Sequence, residues 1–210
     1  MDWAAGRRPA TVWRCIGPGR PVPAGTMWIE QAEGDRRQTV AESATSIEDV
    51  LKGIIGKPTE KAKVVIERAP VQHFADAVLS ASPIYHSPEA AKQAGFSSIP
   101  APPTFPFAME FAGKFDEIQP SDAPVANPLG EAMGPLMAKG GLILHGEQEF
   151  VYHRPVQVGD VLVGEGTIAD AYQKESKGRT MTFIVQETNW SDEKTGEPVV
   201  TTRFNVIHRA

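Results

Sequence analysis

The side chains able to move protons crowd into one stretch, residues 73–112, HFADAVLSASPIYHSPEAAKQAGFSSIPAPPTFPFAMEFA. His86 carries the imidazole, the side chain that can both take and give a proton near neutral pH; the rival reading is a loop or channel-lining residue. Tyr85 beside it can donate a hydrogen bond to a substrate or partner, or simply pack as an aromatic. Ser80 is no base near pH 7 unaided. Asp76 lies one helical turn before it and could supply a carboxylate there, against the plainer reading of an exposed helical acid. Outside the stretch, His145-Gly146 sits in a strand-like run, where the glycine would let a backbone or ligand come close. Arg154, ahead of Pro155, could meet a phosphate or form an ordinary surface ion pair. His73, His153 and His208 have no metal-ligand spacing with a cysteine or an acid cluster. No GxGxxG or P-loop pattern occurs.

The elements that must position these residues can be read in order. Residues 1–26 are dense in Gly, Pro and Arg without periodicity and read as a flexible leader. Met27 as the natural start is one version of that reading, and an arm docking through Trp3 and Trp13 is its rival. Ser46 caps a helix with Ile47, Val50, Leu51, Ile54 and Ile55 at helical spacing and Glu48 and Asp49 in its first turn. Gly56 and Pro58 stop it. Val64 to Ile66 is a strand or the entry to a helix. Pro70 suits the first turn of a helix through Leu79, with Phe74, Ala77 and Val78 as its apolar face. Ser87 and Pro88 open a short helix that Gly95 closes. For residues 104–115, Phe107, Met109 and Phe111 suit a strand, while Phe107, Phe111 and Phe115 suit a helix. Residues 116–138, interrupted by Pro and Gly, read as a loop or insertion. Residues 141–152, 161–172, 180–186 and 200–206 read as strands; the last three, joined by short turns, form an antiparallel meander. Met181, Phe183 and Val185 mark one face of the third strand. Helices first and an antiparallel sheet after indicate α+β, a helix packed on one face of the sheet.

Composition sets the limits. With 210 residues and 41% hydrophobic content the chain can bury one real core. The formal charge of −5, without like-charge blocks, argues against nucleic acid as the main partner. It also offers no general attraction to anions, so an anion site must be built locally. The single cysteine, Cys15, allows no internal disulfide, in keeping with a cytoplasmic protein. No apolar run is long enough to span a membrane, and the amino-terminal residues contain no secretory signal pattern.

AGFSSIPAPPTF (residues 94–105) followed by LHGEQEFVYHRPVQVGD (residues 144–160) resembles the MaoC-like dehydratases, in particular their N-terminal, type I fatty acid synthase-like dehydratase domain. The resemblance covers roughly residues 45–208. It implies a single hot-dog fold over residues 27–210, an antiparallel sheet wrapped around a central helix to which residues 104–115 belong. It further implies pairing of two hot-dog units, as a homodimer or with a catalytic MaoC-like subunit, and interconversion of a trans-2-enoyl thioester with a (3R)-3-hydroxyacyl thioester. The substrate would be an acyl-CoA or acyl-carrier-protein thioester, with no cofactor and no metal. Active members use Tyr/Phe-Ala-x-x-x-Gly-Asp-x-Asn-Pro-Ile-His, in which a carboxylate and an imidazole share one water as base and acid. Here Phe74, Ala75, Pro83 and Ile84 match, but Leu79 replaces Gly, Ser80 the Asp, Ser82 the Asn, and Tyr85 the His, with His86 one residue late. The expectation is a subunit that binds the acyl chain but lacks the dyad. Pro102, Thr104, Phe105, Phe107, His145 and Gly146 are the expected substrate-binding residues, and Tyr85 and His86 the only catalytic candidates. The alternatives are a self-sufficient homodimeric hydratase or thioesterase and a non-catalytic acyl-thioester binding protein.

Overall fold

The computed structural model describes residues 46–120 and 127–210; the expected leader, 1–26, lies outside them. Five helices precede or flank five strands: α1 Ile47–Ile54, β1 Ala62–Val65, α2 Arg68–Ala77, α3 Pro88–Gln93, α4 Phe105–Ala112, α5 Pro128–Ala138, β2 Leu142–Tyr152, β3 Val161–Ser176, β4 Arg179–Asp192 and β5 Pro198–Arg209. The strands form one antiparallel sheet in the order β1-β3-β4-β5-β2. The α+β expectation and the β3-β4-β5 meander hold. β2, although it immediately precedes β3, pairs with β5 on the opposite side and becomes an edge. The short apolar run before α2 resolves as the other edge, β1.

Local chemistry explains most helix boundaries. The Ser46 hydroxyl accepts a hydrogen bond from the Asp49 N–H at 3.1 Å, and Ser87 does the same for Ala90 at 3.2 Å; such caps are worth about 1 kcal/mol each. α4 settles the ambiguity in residues 104–115 as a helix, with Pro106 in its first turn. It buries Phe105 and Met109, one turn apart, while Phe107 and Phe111 remain exposed. Gly113 ends it where a side chain would collide with the Val65 carbonyl, and its own carbonyl accepts from Val65 N–H at 2.9 Å.

Two expectations need correction. α2 buries Val71 and Ala75 and half-buries Phe74, but Ala77 and Val78 are exposed. The chain turns away at that point, with Leu79 at φ 56°. Within the supposed insertion 116–138, residues 128–138 are helix α5, opened by Pro128 and capped by Asn127, whose side-chain oxygen accepts from Gly130 N–H at 2.8 Å. α5 tolerates Pro135 because Ala132 and Leu136 pack against Leu51, Ile54, Ile168 and Ile184. The expected alternation of β4 holds: Thr182, Ile184, Thr188 and Trp190 turn inward, and Met181, Phe183 and Val185 lie half-buried on the opposite face.

Two apolar clusters therefore share one face of the sheet. One lies under α1 and α5. The other gathers Val64, Val71, Phe105, Met109, Leu162 and Trp190 under α2, α3 and α4. Between them run the buried hydroxyls of Thr188 and Thr202.

Candidate functional site

The loop between α2 and α3 is braced from within. The Ser80 N–H bonds the Ala75 carbonyl at 2.9 Å, a 3-10 turn covers Pro83–Tyr85, and Ser87 then caps α3. His86 spans the loop. Its Nε2 lies 3.1 Å from the Ser80 carbonyl oxygen, and its Nδ1 lies 3.9 Å from Asp76 Oδ1. A carbonyl only accepts, so Nε2 carries the proton there, and Nδ1 faces the Asp76 carboxylate. Asp76 thus stands beside His86, in place of supplying the position of Ser80. Nε2 thus braces the loop through its backbone, and Nδ1 lies beside Asp76 beyond hydrogen-bond distance.

Tyr85 points elsewhere. With Ile84 it lines a cavity of about 380 Å³ whose other walls include Phe96, Pro103, Tyr152 and Arg154. Tyr152 donates its hydroxyl proton to the Pro103 carbonyl at 2.5 Å, and burial, with the neighbouring Tyr85, pushes its pKa up. The Tyr85 hydroxyl has no hydrogen-bond partner among the described residues. One phenol is therefore pinned, and the other is free to donate into an apolar chamber. Arg154 is not free to take a phosphate: its two terminal nitrogens hold Asp160 at 2.7 Å and Asp192 at 3.0 Å.

The expected substrate-binding residues divide. Pro102 is buried, Thr104 is exposed at the start of α4, and Phe105 is a core residue edge-on to Phe74 at 5.5 Å. Phe107 and His145 do meet, with ring centroids 4.9 Å apart, and Phe204 closes the group at 5.8 Å and 4.7 Å from them. Phe111 extends it outward, 5.9 Å from Phe107 and 81% exposed. Gly146 sits at the bulge where β2 shifts register on β5, and a side chain there would strike the Asn205 carbonyl and Ile207. None of the six lines the cavity. The walls Tyr152 and Pro103 were not anticipated; the one hint is that Tyr152 follows Phe150 on the same face of β2.

The aromatic group opens onto β2, whose outer edge pairs with no described strand. Leu142, Ile143, Leu144 and Val151 are exposed along it. A long apolar edge of this kind is a ready template for another chain. Among the described residues no cluster of His, Cys, Asp and Glu could hold a metal, and no helix is long and apolar enough to cross a membrane.

Comparison with known proteins places this geometry in context. A family model, the FAS1-like, dehydratase domain region, matches residues 53–202. A UPF0336 protein of Thermobifida fusca is 33% identical over 144 residues, which cover 69% of this chain and 83% of that protein. Among solved structures, the ChsH1-ChsH2 complex from Mycobacterium tuberculosis superposes with a TM-score of 0.60 at 22% identity, covering 77% of this chain and 95% of the matched one. The C-terminally truncated HadBC (3R-hydroxyacyl-ACP dehydratase) complex from the same organism gives 0.54 at 20% identity, covering 73% and 96%. The sheet and its helices are the hot-dog fold.

Proposed function

The chain belongs to the FAS1-like dehydratase domain family, the MaoC-like hot-dog dehydratases, and from that premise we propose that it is the acyl-binding, dyad-less subunit of an enoyl-thioester hydratase or (3R)-3-hydroxyacyl-thioester dehydratase. The observation that carries this reading is His86. The only imidazole in the loop that bears the family's chemistry is tied to the Ser80 carbonyl and faces Asp76, and the family's acid position is a serine. Water must add so that its oxygen bonds C3 while C2 takes a proton, which needs a base and an acid on one water. A second hot-dog unit supplies them in this reading, and it pairs along β2. The bare apolar edge and the exposed Phe107, Phe111 and His145 beside it support that arrangement, as do the HadBC and ChsH1-ChsH2 structures, each of which is a complex. The cavity under Tyr85 accepts the acyl group, and the Tyr85 hydroxyl donates to its carbonyl oxygen.

The test is loss of enoyl absorbance from crotonyl-CoA and a longer enoyl-CoA, with the chain alone and with a MaoC-like subunit carrying the Asp and His. The expected result is silence alone, with acyl-CoA binding retained, and turnover in the mixture. Robust turnover by the chain alone, abolished by His86→Ala, would overturn the proposal in favour of a self-sufficient enzyme using Asp76 and His86. Release of free thiol would indicate a thioesterase.

A further inference from the structure

We infer that Leu79 is a docking knob, an apolar side chain held out from the loop beside the cavity and buried by the second hot-dog unit on assembly. This rests on the proposed function, because the occupant is the unit that pairs along β2.

The end of α2 is a turn that favours glycine. The Ser80 N–H donates to the Ala75 carbonyl at 2.9 Å, and the Leu79 N–H donates to the Asp76 carbonyl at 3.0 Å. These are the paired bonds of a Schellman motif, which puts the residue after the C-cap in the left-handed region. That residue is Leu79, at φ 56°. α3 and α5 carry glycine at the equivalent position, Gly95 at φ 91° and Gly140 at φ 74°. A leucine there is strained through its Cβ, a cost that glycine avoids.

No packing within the chain compensates. Leu79 is 90% exposed, more than any other large apolar residue described, and Ala77 and Val78 before it are exposed too. The apolar contact that often accompanies the motif is missing, since position 80 is a serine. Among the described residues one other non-glycine residue has a positive φ, Lys177 at 53°, ahead of Gly178 in the β3-β4 turn. Lys177 is charged, so exposure suits it, whereas exposure of a leucine is unfavourable. Leu79 therefore serves neither the backbone that holds it nor the core. Strain kept at such a place points to a use for the side chain outside the chain.

Position selects the occupant. The loop that Leu79 opens walls the cavity through Ile84 and Tyr85, and Tyr152, the last residue of β2, is another of its walls. Along β2 itself Leu142, Ile143, Leu144 and Val151 are exposed. A strand pairing antiparallel with β2 runs past Tyr152 and so past this loop. Val78 and Leu79 then give the second unit an anchor outside the sheet, continuous with the edge it pairs with.

The experiment takes two readouts from the full-length chain: thermal unfolding of the chain alone, and its Kd for a MaoC-like subunit carrying the Asp and His, by sedimentation. Leu79→Asn keeps the left-handed turn and removes the apolar side chain. It is expected to raise Tm by about 2–4 °C and to weaken association by about tenfold or more. Leu79→Met restores an apolar side chain at the same strained position and is expected to bind within about twofold of wild type. Opposite movement of stability and affinity is the signature, since a residue that serves its own fold would lose stability on substitution. Wild-type Kd in Leu79→Asn, with turnover by the mixture intact, would overturn the inference and leave the proposed function standing. No association of the wild-type chain and no turnover in the mixture would overturn the proposed function and the inference with it. Self-association weakened by Leu79→Asn, without binding of the MaoC-like subunit, would overturn the assigned occupant in favour of a second copy of this chain.

Discussion

The loop between α2 and α3 and the edge strand β2 are opposites. In the loop the backbone and the imidazole have found partners inside the chain: Ser80 N–H on the Ala75 carbonyl, His86 Nε2 on the Ser80 carbonyl, Ala90 N–H on the Ser87 hydroxyl. Along β2 the outer backbone groups pair with no described strand, and apolar side chains stand exposed beside them. A loop that spends its imidazole on its own carbonyl gains rigidity and loses reactivity. An edge that spends nothing keeps its binding capacity for another chain. The imidazole that looks chemical braces its own loop, and the strand that looks structural leaves an unpaired edge.

The strongest way to break this contrast is to spoil the edge. Ile143→Lys with Leu144→Asp places charge on β2 without touching either core cluster. The expected outcome is loss of assembly with a second hot-dog unit by at least about tenfold in Kd, measured by sedimentation, with the circular dichroism spectrum unchanged. An unaffected association constant would remove the edge from the interface.

Next in size is a packing test away from both regions. Gly164 lies where an added Cβ would come 2.7 Å from the Trp190 ring. Gly164→Val is expected to cost roughly 1–3 kcal/mol in denaturant unfolding, while Ile143→Lys with Leu144→Asp leaves stability nearly unchanged. Equal costs would mean that β2 is as much a part of the fold as the core.

The loop gives a smaller effect. His86→Ala is expected to lower stability by about 1 kcal/mol, the ordinary value of one such hydrogen bond, and to leave kcat of the reconstituted pair within a few-fold. Tyr85→Phe is expected to do the reverse, raising KM without shifting unfolding. A collapse of kcat in His86→Ala would turn the brace into a catalyst.

The smallest effect is a pH dependence beside the cavity. The Thr195 N–H, with Lys194 N–H and Arg154, holds the Asp192 carboxyl below its usual range. Its unfolded value is therefore the higher one, so its contribution is complete above about pH 4 and fades as pH falls through the lower folded value. Thermal unfolding of Asp192→Asn against wild type is expected to differ at pH 7 and converge under strong acid.

Features specified by near neighbours were legible in the residues. The Ser46 and Ser87 caps, the stops at Gly56 and Gly95, and the Lys177-Gly178 turn each depend on contacts within a few positions. The departure from the family's acid and imidazole positions was equally readable, since Ser80 and Tyr85 are what they are wherever the loop lies. α5 was hidden because Pro135 and its glycines oppose a helix locally, and only burial of Ala132 and Leu136 against α1 and the sheet outweighs that opposition. Which face of β4 turns inward was not legible, because Met181, Phe183 and Val185 are as apolar as the residues that do. What decides between the faces is that the helices cover one side of the sheet.

Residue types and short-range patterning thus settled the α+β class, the starts of α1 and α3 and the departure from the family's Asp and His positions. Tertiary packing alone decided that β2 lies beside β5 and that Tyr152 and Pro103 wall the cavity in place of Phe105. Each of those depends on contacts between residues dozens of positions apart. Strand order and side-chain direction arise from the way whole elements stack, and no local window of the chain contains them.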